Sequence, residues 1–162
     1  MLRLGVSLLF IMPLLVSTQV DAFTFSDGTK MQCIAQGRVV TEFYAPPEHE
    51  VAKLGRIGMT VTNDENFMII WNTAELNKLP PAVHDLLFFH ECAHAQVPTK
   101  EELKANCEGL KAMRAAKRAG FAVESQLARF YDSINSGGYW DATLKCANAS
   151  REGDGSRKGG SK

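Results

Sequence analysis

The sequence predicts one α+β domain in which a small, mostly antiparallel sheet packs on two consecutive helices. Two observations carry this. Apolar residues recur with a period of two from Phe23 to Asn72, and with a period of about 3.6 beyond it. The 162 residues are 45% hydrophobic and 22% charged, which supplies one core and leaves little length for a second domain. Eighteen basic and eighteen acidic side chains cancel, so no charge field points to nucleic acid or an anionic membrane as partner.

Residues 1–22 read as an export signal and are set apart from the fold. Arg3 supplies a positive start, LGVSLLFIMPLLV (residues 4–16) is the apolar segment, and STQVDA places small residues before a cut after Ala22. The apolar run is short for a membrane span, and Pro13 with Val20-Asp21-Ala22 suits cleavage better than an uncleaved anchor, so no stable membrane anchor is expected. The cut removes one charge of each sign, Arg3 and Asp21. Exported, periplasmic or secreted, the chain would meet an oxidising compartment. There Cys33, Cys92, Cys107 and Cys146 permit two disulfides, in any of three pairings.

In the expected domain, residues 23–150, strands come first. FTF and KMQCI flank Ser26-Asp27-Gly28-Thr29; RVVTEFYA is rich in β-branched and aromatic residues; MTVTN and FMIIWN bracket Asp64-Glu65-Asn66. Three or four strands with hairpin-like links follow from these signals. Residues 45–56, with Pro46-Pro47 and mixed charge, read as a surface loop or a short helix. Pro80-Pro81 then opens a helix that Pro98 stops. A second helix is expected from Thr99, with Glu102 completing a capping box, to Gly120. A third spans about 122–134, before the break at Ser136-Gly137-Gly138. Residues 151–162 hold no apolar side chain and read as a disordered tail.

The first helix carries His90-Glu91-Cys92-Ala93-His94, an HExxH pattern. On a helix, positions i and i+4 share one face, so both imidazoles can reach one metal ion with Glu91 beside them. His90 and His94 fall in the stripe of Val83, Leu87 and Val97, where two imidazoles need a partner, and a metal is the simplest one. A catalytic Zn2+ site takes a third protein ligand and leaves one position to water, whose proton Glu91 would accept as general base and return as acid. Glu101, Glu102 and Glu108 compete for the third place. The apolar face of the second helix, read from Leu103, Cys107, Leu110 and Met113, has Glu102 at its edge and the other two on the far side. Helical geometry therefore selects Glu102, and Asn106 one turn on would hydrogen-bond and orient a ligand.

HECAH followed by Glu102-Leu103-Lys104-Ala105-Asn106 resembles the HExxH zincin metallopeptidases of the gluzincin type, where a later helix carries E-x-x-A-D or E-x-x-A-N. It is similar also to small exported bacterial metallopeptidase-like proteins with HEC-A-H and a downstream A-D-C, here Ala105-Asn106-Cys107. The likeness covers residues 67–117. It implies a minimal zincin core, zinc held by His90, His94 and Glu102, Glu91 as catalytic base and acid, and Asn106 orienting a histidine. FMIIWN would be the strand beside the cleft, its edge near Ile69 to Trp71 holding an extended peptide by backbone hydrogen bonds. The resemblance also implies Cys107 as companion of Cys92, a residue that points away from the histidine stripe. Tyr139, beside Gly137-Gly138, stands where zincins often supply an oxyanion stabiliser. One departure stands out: seven residues separate His94 from Glu102, so the turn between the helices must be tight.

His84, about 120° around the helix from His90, reads as an ordinary half-exposed side chain, and His49 as a solvated loop residue. The expected function is hydrolysis of peptide bonds in a peptide or protein substrate by a zinc-activated water. The alternative is a non-catalytic zinc-binding structural or regulatory module of an exported, disulfide-containing protein. A disulfide-stabilised interaction protein with a coincidental HExxH is a third possibility.

Overall fold

A computed structural model describes residues 22–63 and 66–155. The expected export signal up to Asp21, Asp64-Glu65 and residues 156–162 lie outside the described residues. The chain forms β1 (Phe23–Thr24), β2 (Lys30–Met31), β3 (Ile34–Ala35), β4 (Arg38–Val39) and β5 (Thr41–Ala45), then α1 (Glu50–Lys53), β6 (Gly58–Asn63) and β7 (Asn66–Asn72). Helices follow: α2 (Thr73–Leu76), α3 (Pro81–Gln96), α4 (Glu102–Ala115), α5 (Phe121–Ser133) and α6 (Gly137–Gly155). The α+β class is as expected. β1–β2, β3–β4 and β6–β7 pair antiparallel, while β5 pairs with β7 in parallel. The parallel pair arises because β5 does not turn back on itself: the chain crosses through α1 and β6 before β7 returns beside it.

The main sheet has the order β5-β7-β6. β7 is therefore its central strand, with both backbone edges used, and cannot offer Ile69 to Trp71 as a free edge. The expectation of a substrate edge on β7 is thereby corrected; β6, the strand nearest α3, is an edge strand of this sheet. Ile69 and Trp71 instead turn fully buried side chains into the core, where Phe23, Phe25, Phe88 and Phe89 meet them. These aromatic side chains stabilise the fold mainly by leaving water, each by about 2–3 kcal/mol.

α3 crosses this core and is buried around most of its circumference, from Ala82, Val83 and Leu86 through Phe88, Phe89 and Cys92 to Ala95. Its remaining strip, Leu87, His90 and His94, is only partly covered. Pro81 at its first turn lacks the N–H that would have no partner there, and the helix stops ahead of Pro98.

Four details differ from the sequence expectation. α4 starts at Glu102, three residues after Thr99, because Thr99 Oγ1 accepts from the Glu101 N–H at 3.1 Å and no side chain caps the helix. There is no capping box, and Glu102 is free for another partner. α4 ends at Ala115, followed by Lys117 at φ 59°, rather than at Gly120. Leu103 is 40% exposed, so the buried face of α4 is Ala105, Asn106, Cys107, Gly109, Leu110 and Met113. Finally, Gly137-Gly138 opens α6 instead of ending the helical region, and α6 extends to Gly155, five residues into the segment read as tail.

The disulfides are Cys33–Cys92 and Cys107–Cys146. This corrects the pairing of Cys92 with Cys107 that the resemblance implied. Cys92 faces the β3 side of α3, whereas Cys107 faces α6, so α3 and α4 are tied to different neighbours.

Candidate metal centre

α3 stacks His90 and His94 one turn apart, with ring centroids 4.8 Å apart and the rings edge to face. The tight turn after α3 then brings α4 back along it. The approach is close because residue 109 is glycine: a Cβ there would lie 2.9 Å from the backbone N of His90. With that contact allowed, the first turn of α4 sets the Glu102 carboxylate over both rings. Glu102 Oε2 lies 3.1 Å from His90 Nε2 and 3.6 Å from His94 Nε2, and the two Nε2 atoms are 3.2 Å apart. His90, His94 and Glu102 thus form a group that could hold a metal ion, as their positions in the sequence predict.

The far side of each ring fixes its tautomer. His94 Nδ1 is 2.8 Å from the Thr99 carbonyl, an acceptor only, so Nδ1 carries the proton. That carbonyl is presented by the same short turn that lets Glu102 follow so soon. His90 Nδ1 is 3.3 Å from Asn106 Oδ1. Asn106 is held in this orientation because its Nδ2 donates to Thr143 Oγ1 at 3.0 Å, while the Thr143 hydroxyl donates to the Tyr139 carbonyl at 3.0 Å. Asn106 and Thr143 are 2% and 0% exposed, so this relay is closed to water. Asn106 stands beside His90, one turn on from Glu102. In their neutral form, the two imidazoles would thus turn Nε2 lone pairs toward each other and the Glu102 carboxylate. Three such acceptors within 3.1–3.6 Å of one another call for a cation.

Glu91, 5% exposed, lies in the seam between α3 and β6. Thr60 Oγ1 lies 2.8 Å from Glu91 Oε2 and 2.8 Å from the Glu91 backbone oxygen. Gly58 makes room for this carboxylate. A Cβ at residue 58 would stand 2.8 Å from Trp71 Cζ3 and 3.0 Å from Glu91 Oε1. Glu91, His94 and Glu102 line a single cleft of about 680 Å³ whose opposite wall is β6 at Gly58, Thr60 and Thr62. Arg56 and Lys100 add positive charge to its rim.

Tyr139 lies on the flank. It shares a smaller cavity of about 90 Å³ with Val83, Leu87, His90, Asn106 and Tyr131, and its ring is 5.8 Å from that of Tyr131. Burial raises the Tyr139 pKa, and Tyr131 and Glu102 push it further, so its hydroxyl stays protonated and able to donate. Burial likewise raises Tyr131, with an Asn106 hydrogen bond opposing it.

The remaining histidines are elsewhere. His49 Nδ1 caps α1 by accepting from the Val51 N–H at 3.2 Å, and His84 stacks on Phe23 with Nδ1 3.1 Å from Asp85. Cys92 is a disulfide residue and no ligand. Gly58, Thr60, Gly109 and Thr143 escaped the sequence reading. Of these only Gly109 left a signal, a glycine inside a helical pattern that costs about 1 kcal/mol relative to alanine. Compared with known protein families, with curated proteins and with solved structures, the chain finds no match, so the likeness to gluzincins rests on its own motif residues.

Proposed function

We propose that the chain is an exported zinc metallopeptidase, with His90, His94 and Glu102 as the zinc ligands. The observation that carries this reading is the convergence of three acceptors, two of which, His94 and Glu102, line one cleft with the buried Glu91. The donor set suits zinc, which takes imidazole and carboxylate at about 2.0–2.2 Å in a tetrahedron whose edges are then about 3.4 Å. The observed separations of 3.1, 3.2 and 3.6 Å bracket that value. The two disulfides fit export to an oxidising compartment.

Bound there, zinc would polarise a scissile carbonyl and acidify a water. The chain's own residues supply the rest. Glu91, steadied by Thr60, takes the proton of the attacking water and returns it to the leaving amine. The outer edge of β6 offers backbone N–H and C=O groups along the cleft, to which an extended peptide can add as a further strand. Asn106 and the Thr99 carbonyl keep both imidazoles in the tautomer that faces the ion. Tyr139, beside His90 but outside the lining of that cleft, is the hydroxyl we assign to a developing oxyanion.

The test joins metal content to turnover. Glu91→Gln is expected to bind zinc like the wild type while peptide hydrolysis falls at least about 100-fold. Glu102→Ala should weaken zinc binding far more than Glu108→Ala, because Glu108 pairs with Lys111 at 2.9 Å instead. A wild type that binds zinc and cleaves nothing in a broad peptide library would leave the non-catalytic zinc module as the function. A folded protein indifferent to chelators would end both readings.

A further inference from the structure

Phe23, the residue after the predicted cut, begins β1 with its side chain 0% exposed. Its ring is wedged among Phe25, Trp71, His84 and Phe88, with centroid separations of 4.9–5.3 Å. Its backbone nitrogen lies 3.2 Å from Glu42 Oε1, and this contact is buried. Glu42 is a carboxylate only 7% exposed, on β5. Its second oxygen, Oε2, accepts from Trp71 Nε1 at 2.8 Å and from the Tyr44 hydroxyl at 3.4 Å. A buried carboxylate aimed at a main-chain nitrogen is far more than an amide N–H requires.

We infer that Glu42 is the receptor for the mature α-ammonium of Phe23, so that removal of the export signal completes the fold. The inference rests on the export reading and its cut after Ala22. In that cut, water adds across the Ala22–Phe23 peptide bond under the endopeptidase of the export machinery. Ala22 leaves as a carboxylate, and the Phe23 nitrogen becomes an amine that takes a proton at neutral pH. The neutral donor 3.2 Å from Glu42 is thereby replaced, in place, by a cation. Out of water, a carboxylate attracts an ammonium more strongly than an amide N–H. A cavity of about 210 Å³, whose lining includes Ala22, Lys30, Tyr44, Asn77 and His84, adjoins Phe23 and gives the other ammonium hydrogens access to water, with Lys30 as a second cation at the same cavity.

The contact also reaches the cleft. Trp71, which donates to Glu42, lies against Gly58, and Gly58 lies against Glu91. A tighter hold on Glu42 therefore firms the wall on which the Glu91 carboxylate rests. Before the cut, the Phe23 nitrogen offers Glu42 an amide N–H in place of that cation.

Three chains test this: one starting with a free Phe23 amine, one of the same length with that amine acetylated, and one retaining Ala22. The free-amine chain is expected to melt about 5 °C or more above the other two, and Glu42→Gln should erase the gap. Equal melting of the free and acetylated chains overturns the inference, and so does a gap that survives Glu42→Gln. If Glu42→Gln fails to fold, the free and acetylated pair decides alone. N-terminal sequencing of protein recovered from an exporting host tests the cut separately. A first residue other than Phe23 refutes the export reading at that point, whatever the melting pair gives.

Discussion

Gly58 joins the core to the cleft within one residue. Its missing Cβ leaves room for both the Trp71 ring and the Glu91 carboxylate, at 2.8 and 3.0 Å from where that carbon would stand. Gly58→Ala is expected to cost about 1–3 kcal/mol, because the tryptophan is fully buried and has nowhere to move. Denaturant melting reads the loss, and zinc binding should change little, since residue 58 touches none of the three ligands. Thr143 is the opposite case. Its hydroxyl touches neither ring, yet it holds Asn106 so that the amide oxygen faces His90. Thr143→Val keeps the volume, leaves the Asn106 Nδ2 without its acceptor, and should weaken zinc binding about 10–100-fold by competition with a chelator. An unchanged affinity would show that His90 needs no such support.

The helices divide the work, and each disulfide supports a different part of it. Cys33–Cys92 fixes α3 beside β3, and Cys107–Cys146 fixes α6 on α4. Removing either pair by alanine should cost about 2–4 kcal/mol. Only the loss of Cys107–Cys146 should also reduce metal affinity, because α6 carries Thr143. α3 and α5 were legible from the sequence, as proline brackets one and the apolar period marks both. α6 was not, because Gly137-Gly138 reads as a breaker. Its apolar spacing of Trp140, Thr143 and Ala147 was present, but it is burial against α4 and α5 that outweighs the glycines. The parallel pairing of β5 with β7 and the disulfide partners had no local signal at all. Both are set by which segments meet after long excursions of the chain. The nearness of Glu102 to the two histidines was legible from the edge of one helix face, although Leu103, used to read that face, is itself 40% exposed.

Across the whole molecule, charge ties the N-terminal hairpin to the helices. Arg118, beyond α4, lies over the Phe25 ring at 3.8 Å and pairs with Asp27 at 2.9 Å and Asp85 at 3.2 Å. Burial tends to raise the Asp85 pKa, but hydrogen bonds from His84, Ser26 and Arg118 outweigh it and hold the carboxyl below its ordinary 3.8. Asp27 is lowered as well, by Thr29 and then Arg118. A carboxyl lowered on folding stabilises the native state fully above its unfolded pKa and loses that contribution as pH falls through the folded one. Asp85→Asn should therefore lower stability at pH 7, with the gap to wild type closing as pH drops below 3.8. Urea unfolding at several pH values measures it, and a gap that widens in acid would contradict the assignment.

The seven residues between His94 and Glu102 bear on how a bound ion would protect the fold. Ligands so near in the chain remain near when it unfolds, since closing a short flexible loop costs little entropy. The denatured chain then competes for the ion, and binding to it subtracts from the stabilisation that mass action would otherwise give. Zinc affinity and the zinc-dependent rise in Tm should accordingly disagree, with the thermal shift the smaller of the two. The size of that shortfall is a direct measure of how much of the chelate outlives the fold.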